Sequence, residues 1–488
     1  MNKGVVLGIG FMSMFAFLNA CAGTKVTSLK CHPSTDVYDG WQLGMQAYSF
    51  RKFTFYEAVE KTAALGLDWI ETGPFNQVLS KEYPNVKFSH TMSAEVREQV
   101  KQKLKEAGVR LIAYGVVLFD KDEAKCRQIF DFARDMGVEI ITAEPAPDAL
   151  DTVEKLCKEY KIKVAIHNHP APSLYWNPDK VLEACKGRST LIGACADTGH
   201  WMRSGVNPLE ALKKLQGRII SFHLKDLDRF GNPKAHDVVW GTGKADVKGM
   251  LTELDRQGFK GLFAIEYEHN WENSVPDIEQ CVEYFDKVAG GLKPTGWHRL
   301  LAKGLSNCEY EPGMWAMEEG LLTRKDHKGM YKDIWAKEKY GDFILDLEFK
   351  LAKETNSGVY IRNIDHVSWK HIGIEVQVLD SNVKETDKHI CGSIYDCLAP
   401  RKNMVRQPGE WNRMTIEAQK KQISVVLNGE QIIDMDLGLW KEVGMNPDGT
   451  KNKFPIAFND MQQAGYIGFQ DHGHPVWYRN IKIKPLDN

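Results

Sequence analysis

Carboxylate and imidazole side chains follow five short apolar segments in the first half of the sequence. Together these groups form the mixed oxygen and nitrogen ligand set that suits a divalent ion such as Mn²⁺, Mg²⁺ or Zn²⁺. Converging carboxylates would repel one another without a cation between them. Any one such residue is usually an ordinary hydrogen-bonded group, so the prediction of a metal site rests on their recurrence. The side chains are Glu144, His169 of the His167-Asn168-His169 segment, Asp197 with His200, His223, and Glu266.

The elements that position these side chains alternate between short apolar runs and amphipathic helical stretches, from Trp41 to about Gly291. Gly108 and Gly137 precede two of the apolar runs, as expected for left-handed helix ends. Eight strand–helix repeats over about 250 residues predict a TIM (β/α)8 barrel, whose chemistry lies at the carboxyl ends of its strands. The predicted strands begin at Gln42, Leu67, Val109, Val138, Lys161, Thr190, Arg218 and Gly261.

The alternative fold is an open, doubly wound sheet, which binds dinucleotides through a glycine-rich loop after its first strand. The residues after Gly44 do not form such a loop, and Gly241-Thr242-Gly243 comes late and lacks a third glycine. The barrel is therefore the preferred fold, and no nicotinamide cofactor is expected. The net charge of −2 gives no indication of a nucleic-acid partner.

The second half of the chain has the period of β-strands after Lys293-Pro294-Thr295-Gly296, which reads as a linker. Asn428-Gly429 between two β-type segments is a strong hairpin signal. The pattern predicts an all-β sandwich or jelly roll. The predicted strands are residues 343–350, 358–362, 373–379, 412–418, 422–427, 431–435, 465–470 and 476–482.

The N-terminus combines Lys3 with an apolar run over residues 5–18, which is shorter than the roughly 20 residues that span a bilayer. The run predicts a signal peptide. Leu18-Asn19-Ala20-Cys21 resembles the bacterial lipobox, which implies lipid attachment at Cys21 after cleavage. An ordinary cleavage site in a soluble secreted protein is the alternative. The residues after Cys21 lack an acidic cluster, which favours a membrane-anchored lipoprotein that faces the periplasm.

These patterns divide the chain into a signal peptide (1–20), a tether (21–40), a barrel (41–291), a linker (292–309) and a sandwich (310–488). Of the 10 cysteines, nine remain beyond Cys21, and this odd number excludes complete internal pairing. Most are expected to be buried apolar residues. The spacing of Cys391 and Cys397 permits a bridge between them.

The strand-end residues resemble the xylose-isomerase-like superfamily of sugar isomerases and epimerases over nearly all of residues 41–291. In its ketose 3-epimerases, two Glu, one Asp and one His bind the metal, and the two Glu also transfer protons from opposite sides. The resemblance implies substrate contacts for His200 and Arg229, whereas His169 departs from the epimerase pattern as an added ligand and leaves the reaction open. Lys225 and Asp226 are interpreted equally as groups near the substrate or as a solvated pair. The implied ligands are Glu144, Asp197, His223 and Glu266.

Such a site activates a C–H bond next to a sugar carbonyl. A metal bound to the carbonyl and the adjacent hydroxyl stabilises the enediolate that forms when a Glu removes the proton. Return of the proton to the other face gives epimerisation, and return to the next carbon gives isomerisation. A leaving group beta to the carbonyl is expelled instead, so elimination is the third outcome.

The second half resembles the 3-keto-disaccharide hydrolase domain family, a lectin-like (concanavalin A-like) sandwich, over about residues 310–485. Glu375 and Gln377 alternate on one strand and therefore point to one face. The pattern allows Arg362 to lie on a neighbouring strand, and it places Asp471 and His472 in a glycine-rich turn. Mutual pairing of these polar groups is the alternative to a site.

This resemblance rests on several ordered motifs. The candidate catalytic groups are Glu375, Asp471 and His472, and the candidate substrate-binding groups are Arg362, Gln377 and Tyr395. The motifs are Tyr340-Gly341-Asp342-Phe343, Asn356-Ser357-Gly358-Val359-Tyr360-Ile361-Arg362, Gly373-Ile374-Glu375-Val376-Gln377, Gly392-Ser393-Ile394-Tyr395, Pro408-Gly409-Glu410-Trp411-Asn412 and Gly468-Phe469-Gln470-Asp471-His472-Gly473.

Both halves indicate oxidised sugars as substrates. A 3-keto group makes H2 of a glucoside acidic, so that removal of H2 expels the C1 aglycone and water adds to the unsaturated sugar. The main interpretation is an enzyme that cleaves 3-keto-glycosides, with a linked elimination, isomerisation or epimerisation in the barrel. The alternatives are a catalytic barrel with the sandwich as a carbohydrate-binding module, and a non-catalytic glycan-binding lipoprotein. A separate sugar 3-dehydrogenase is expected to form the keto group.

Replacement of Cys21 tests the predicted anchor. We expect the Cys21→Ser protein to move from the membrane fraction to the soluble fraction with unchanged specific activity, because a lipid is a tether and not part of the folded domains. Cell fractionation with an activity assay measures both properties. Cys31→Ser is the matched control and should leave the protein in the membrane fraction. A wild-type protein that fractionates as fully soluble would contradict the prediction.

Overall fold

The computed structural model of the chain describes residues 38–486, apart from residues 294, 319, 326–331, 366–371 and 383. The predicted signal peptide, Cys21 and most of the predicted tether lie outside the described residues. Within the described part of the chain, no helix combines the length and the apolar character needed to cross a bilayer.

The first domain is a closed barrel of parallel strands, in which each strand pairs with the next and the last pairs with the first. The predicted TIM barrel is confirmed, and every predicted strand begins within two residues of an observed one. The strands are β1 (Trp41–Gln46), β2 (Trp69–Thr72), β3 (Arg110–Phe119), β4 (Ile140–Pro145), β5 (Lys163–His167), β6 (Ile192–Asp197), β7 (Ile219–Leu224) and β8 (Gly261–Ile265).

Helices surround the barrel, and their ends follow local sequence signals. The Ser93 side chain caps one helix by accepting the Val96 N–H, and Gly108 ends the same helix in the left-handed conformation. The helices are α1 (Phe55–Ala64), α2 (Ala94–Ala107), α3 (Glu123–Met136), α4 (Leu150–Tyr160), α5 (Pro178–Cys185), α6 (Thr198–Arg203), α7 (Pro208–Lys214), α8 (Val247–Arg256) and α9 (Val275–Leu292).

The second domain is a sandwich of two antiparallel sheets. Its core contains alternate residues of each strand, such as Val376 and Val378, while Glu375 and Gln377 point to the outer face. The strands are β9 (His298–Arg299), β10 (Cys308–Glu309), β11 (Trp315–Glu318), β12 (Leu321–Arg324), β13 (Ile334–Tyr340), β14 (Phe343–Leu351), β15 (Asn356–Asn363), β16 (Ile374–Leu379), β17 (Trp411–Gln419), β18 (Gln422–Leu427), β19 (Glu430–Asp436), β20 (Gly465–Phe469) and β21 (Val476–Pro485).

The smaller sheet has the order β10-β13-β20-β15-β16, and the larger has the order β11-β12-β21-β14-β17-β18-β19 with β9 paired to β21. Every strand predicted in this half is present. The expected linker, residues 292–309, differs from its prediction because it contains β9 and β10, which pair with β21 and β13. Each has only two residues, too few for a period to show in the sequence.

The N-terminal pole of the barrel lies against the outer face of the larger sheet. Arg479 of β21 pairs with Glu348 of β14 and donates to the carbonyl of Ala107, which ends α2. Lys482 Nζ lies 3.9 Å from Asp68 Oδ2, one residue before β2. The C-terminal pole of the barrel and the outer face of the smaller sheet therefore point away from this contact.

All described cysteines are buried and unpaired, as expected for apolar core residues. The suggested bridge between Cys391 and Cys397 is wrong, since each thiol belongs to the apolar core of the sandwich as a separate buried group.

The β18–β19 hairpin supplies a test of the fold. Asn428 and Gly429 both have positive φ, 51° and 89°, as a two-residue turn of this kind requires. We expect Gly429→Ala to destabilise the sandwich by about 1–2 kcal/mol, because a Cβ is strained at positive φ. Gly290→Ala in α9 is the control, since Gly290 is helical with open space around its Cα. Denaturant unfolding measures both, and equal stability of the two variants would contradict the turn assignment.

Candidate active sites in the barrel and the sandwich

The carboxyl ends of four consecutive strands bring candidate ligand side chains together. His167 and Asp197 end β5 and β6, His223 lies in β7, and Glu266 directly follows β8. All four residues are buried, and one ligand atom of each lies within 4.8 Å of the others. His223 Nδ1 is 3.2 Å from Glu266 Oε2, and His167 Nε2 is 3.6 Å from Asp197 Oδ2. We call these four residues the metal cluster.

The unpaired atoms of the cluster fit a divalent cation. His167 Nε2 and His223 Nδ1 are buried, yet neither has an aligned hydrogen bond. Buried polar atoms are nearly always satisfied, and imidazole nitrogens with carboxylate oxygens are the ligands that such ions take in proteins. The cluster can therefore hold a metal ion.

Glu144 and His169, both predicted as ligands, form a second set beside the cluster. Glu144 Oε1 contacts His169 Nδ1 and lies 3.3 Å from His167 Nδ1, so that His167 stands between the two sets. Burial raises the pKa of Glu144, but the hydrogen bonds from both histidines outweigh it and hold the pKa well below its usual range. His169 is half exposed because it follows the strand, whereas His167 ends it. His167 was not predicted as a ligand, although its position at the end of the strand could have indicated it.

Lys225 is a buried cation within the metal cluster. Its Nζ lies 2.9 Å from Asp197 Oδ2 and 2.7 Å from Glu266 Oε2, and it also pairs with Glu268. Burial lowers the pKa of Lys225, but the three carboxylates outweigh it and raise the pKa well above normal. The suggested solvated pair of Lys225 with Asp226 is wrong, because both side chains are buried.

Asp226 holds the loop that contains Gly241-Thr242-Gly243, which lacks the third glycine of a dinucleotide-binding motif. Its carboxylate accepts the backbone N–H groups of Gly241, Gly243 and Ala245. The side chain thus fixes the loop after β7, next to the cluster.

The two predicted substrate-binding residues of the barrel lie in different places. The His200 side chain reaches the cluster, with Nε2 3.6 Å from Asp197 Oδ2. Arg229 is half exposed and pairs with Asp228, away from the ligands. Arg203 is the arginine near the cluster instead, with Nη1 3.1 Å from His200 Nδ1. Arg203 lies one turn of α6 after His200. This spacing could have predicted that the two side chains lie close together.

Aromatic side chains on the loops after β1, β2 and β8 flank the C-terminal pole. Tyr48 makes edge contacts with Phe75 and Trp271, at centroid distances of 5.2 and 5.7 Å. The Arg51 guanidinium lies 3.8 Å from the Trp271 ring centroid. These half-buried rings offer a surface that suits the apolar face of a sugar.

In the sandwich, Glu375 lies on the outer face of the smaller sheet beside two stacked rings. Trp335 and Tyr360 stack with centroids 5.2 Å apart, and Gln470 donates to the Tyr360 hydroxyl at 2.6 Å and to Glu375 Oε1 at 3.1 Å. Gly358 makes this packing possible, since a Cβ there would lie 2.8 Å from Glu375 Oε1.

The environment of Glu375 changes its acidity. Burial raises the pKa of Glu375 to about 7, and the Lys453 ammonium opposes this only in part. Burial likewise raises the pKa of Asp333 to about 7. A carboxyl group with such a pKa exchanges a proton readily near neutral pH, which suits a general base.

Arg362 and Asp471 are bound to groups other than Glu375. Arg362 has φ of 53°, and its guanidinium bonds Asp342 and the carbonyl of Lys420, because the left-handed residue turns the side chain towards the end of the sandwich. The Asp471 carboxylate accepts from Arg324 Nε at 2.9 Å and from backbone N–H groups, which fixes its loop.

The remaining sandwich candidates surround Glu375 in part. Gln377 is buried on the same outer face, with its side-chain oxygen accepting the Val378 N–H. The backbone N–H of Tyr395 donates to the Glu375 carbonyl, and the Tyr395 ring lies 4.0 Å from Lys453 Nζ. His472 is exposed in the turn beyond β20.

Comparison with known proteins agrees with this two-domain arrangement. Residues 59–288 match the family described as a xylose isomerase-like TIM barrel, and residues 283–484 match the 3-keto-alpha-glucoside-1,2-lyase-like domain. The chain therefore carries one domain that matches each of these family models. Each match covers one of the two domains, so the sequence resemblances to a sugar isomerase-like barrel and a 3-keto-disaccharide hydrolase domain are confirmed.

Individual relatives match one domain at a time. A 3-keto-disaccharide hydrolase from Bacteroides thetaiotaomicron is 26% identical over 207 residues, covering 36% of this chain and 71% of the relative. An inosose dehydratase from Clostridium tetani is 36% identical over 143 residues, covering 26% of this chain and 47% of the relative. The chain thus spans about half the length of the inosose dehydratases that it matches.

A solved structure from Parabacteroides distasonis ATCC 8503 is 38% identical, covering 51% of this chain and 99% of that chain with a TM-score of 0.43.

Asp197→Asn tests the metal cluster, because it keeps the side-chain shape and removes one ligand charge. Loss of an outer-shell partner already costs about 10–100-fold in metal affinity, so we expect loss of a ligand to cost more than about 100-fold. Titration of chelator-treated protein with Mn²⁺ measures the affinity. Asp151→Asn, an exposed carboxylate on α4, is the control and should bind normally. Equal affinity of both variants would refute the cluster.

Proposed function

We propose that the protein cleaves 3-keto-glycosides at the sandwich and performs a metal-assisted proton transfer next to a sugar carbonyl at the barrel. The observation that carries the proposal is the buried Glu375, with a pKa of about 7, beside the stacked Trp335 and Tyr360 rings. The similarity of this domain to a 3-keto-disaccharide hydrolase supports the substrate class.

In the proposed reaction at the sandwich, Glu375 removes H2 of the keto sugar. The electrons of the C2–H bond form an enolate with its negative charge on the C3 oxygen. As the C3 carbonyl re-forms, a C1=C2 double bond forms, the C1–O bond breaks, and the aglycone oxygen takes up the proton that Glu375 holds. Water then adds across the double bond and completes hydrolysis. Tyr360 stays protonated, because burial raises its pKa far above normal. Since Gln470 donates to the Tyr360 oxygen, the Tyr360 O–H remains available to donate to the enolate oxygen.

In the proposed reaction at the barrel, Glu144 and Glu266 are the groups that move protons. A bound divalent ion would polarise the substrate carbonyl and make the adjacent C–H acidic. Lys225 holds the carboxylates of Asp197 and Glu266 in place. The inosose dehydratase relatives carry the name of an enzyme that removes water, which favours elimination over epimerisation or isomerisation.

A second candidate function makes the sandwich a carbohydrate-binding module for a catalytic barrel. The stacked Trp335–Tyr360 pair favours it, because flat aromatic surfaces bind sugar rings without chemistry. The two candidates differ in whether Glu375 is needed for turnover or only for binding.

The proposal includes two features outside the described residues or the chain. Lipid attachment at Cys21 would anchor the protein to the membrane facing the periplasm. A separate sugar 3-dehydrogenase would supply the keto substrate, because the cleavage chemistry consumes an oxidised sugar.

Glu375→Gln distinguishes the candidates. If Glu375 is the base, the rate of 3-keto-disaccharide cleavage should fall by about 10²–10⁴-fold, the usual effect of losing a positioned proton acceptor. The wild-type rate should rise with pH through about 7, because the base must be deprotonated, and this rise should disappear in the variant. Glu417→Gln, on β17 of the other sheet, is the control and should leave kcat and the pH profile unchanged.

Isotope exchange supplies a second readout of the same reaction. In D₂O, reversible proton removal should place deuterium at C2 of recovered substrate or product. A Glu375→Gln protein with normal kcat and a raised KM would instead favour the binding module. Equal cleavage of oxidised and unoxidised disaccharides without deuterium at C2 would defeat the proposal.

A further inference from the structure

Glu71 of β2 is a buried carboxylate that the sequence patterns did not single out. It lies opposite Gln46 of β1 in the parallel register, and its side chain is fully buried. Trp69, two residues earlier, packs against the apolar layer inside the barrel. Glu71 therefore projects into the same interior, one layer nearer the C-terminal pole. This position places a carboxyl group directly behind the metal cluster.

His223 lies between Glu71 and the rest of the cluster. Its Nδ1 is 3.2 Å from Glu266 Oε2, and its Nε2 is 3.1 Å from Glu71 Oε2. Gln46 Nε2 also lies 3.4 Å from Nε2, and the Gln46 oxygen already accepts the Tyr48 N–H. The Gln46 amide nitrogen can only donate a hydrogen bond. Of Gln46 and Glu71, only Glu71 can therefore accept a proton from His223 Nε2.

The Glu71 carboxylate is otherwise unsatisfied within the described part of the chain. Both of its oxygens are buried, and neither makes an aligned hydrogen bond. Burial of an ionised group without partners is strongly disfavoured. The fully buried carboxyl group of Glu71 therefore needs a partner, and the group that it faces is His223.

We infer that Glu71 is a positioning residue, which would accept the Nε2–H of His223 when the unprotonated Nδ1 binds the metal. The inference rests on the metal centre of the proposed function. Carboxylates behind metal-bound histidines fix the tautomer and the ring orientation, and their loss typically costs about 10–100-fold in metal affinity. Glu71 would thus act on the metal through His223, without binding it.

Mn²⁺ titration of the chelator-treated full-length protein tests this role. We expect Glu71→Gln to weaken Mn²⁺ binding by about 10–100-fold, and Glu71→Ala to weaken it at least as much. Glu253→Gln, whose carboxylate pairs with Arg256 on α8, is the matched control and should bind normally. Nitrogen-15 spectra of the histidines should show a shift of His223 away from the Nε2–H tautomer in the Glu71 variants.

Thermal unfolding of the metal-free proteins separates positioning from a structural role. The metal-free Glu71→Gln protein should unfold at the wild-type temperature or above, because a buried charge is removed. A fall in unfolding temperature together with the affinity, or an unchanged His223 tautomer, would overturn the inference. Normal Mn²⁺ affinity of Glu71→Gln would also overturn it, provided that Asp197→Asn loses the metal. If the Asp197→Asn protein binds Mn²⁺ normally, the proposed metal centre is itself wrong.

Discussion

The barrel gathers carboxylates at the interior of one pole, where water does not screen them, and the arrangement of the site depends on balancing that charge. Asp197 and Glu266 each contact the buried ammonium of Lys225, and two imidazoles complete the cluster. Without cations these groups would repel one another or take up protons. One resident cation and space for a divalent ion allow the carboxylates to remain ionised.

The buried carboxyl group of Glu375 in the sandwich has the opposite electrostatic environment. Glu375 receives one amide donor from Gln470, and burial rather than a counter-charge dominates its pKa. The barrel thus holds the pKa values of its carboxyl groups low, while the sandwich raises the pKa of Glu375 towards neutral. The same residue type serves two kinds of chemistry because its surroundings differ.

The sequence predicted those features that follow from local periodicity. Barrel strands and their polar ends were visible because apolar runs, helices and terminal glycines repeat, and the Asn428-Gly429 turn was visible because few dipeptides adopt two positive φ angles. Strands β9 and β10 were not, since two residues carry no period. Such short strands exist only because longer partners align them.

The partners of the buried side chains could not be predicted, because they depend on tertiary contacts that sequence spacing does not indicate. The sequence left open whether Lys225 is near the substrate or in a solvated pair, because its carboxylate partners come from other strands. Glu71 gave no signal because its partner His223 comes from a distant strand. Arg362 lies on β15, beside the strand of Glu375 as the sequence allowed, but its left-handed backbone turns the side chain away from Glu375. Proximity in these cases is a property of the closed fold.

The contact between the N-terminal pole of the barrel and the larger sheet has a consequence for how the two domains share work. Each candidate site faces a side of the molecule that the other does not reach, so a compound released by one site enters the surrounding solution. It meets a neighbouring copy as readily as the partner site on its own chain. Fusion therefore secures equal numbers of the two sites wherever the protein is located, and it does not shorten the path between them.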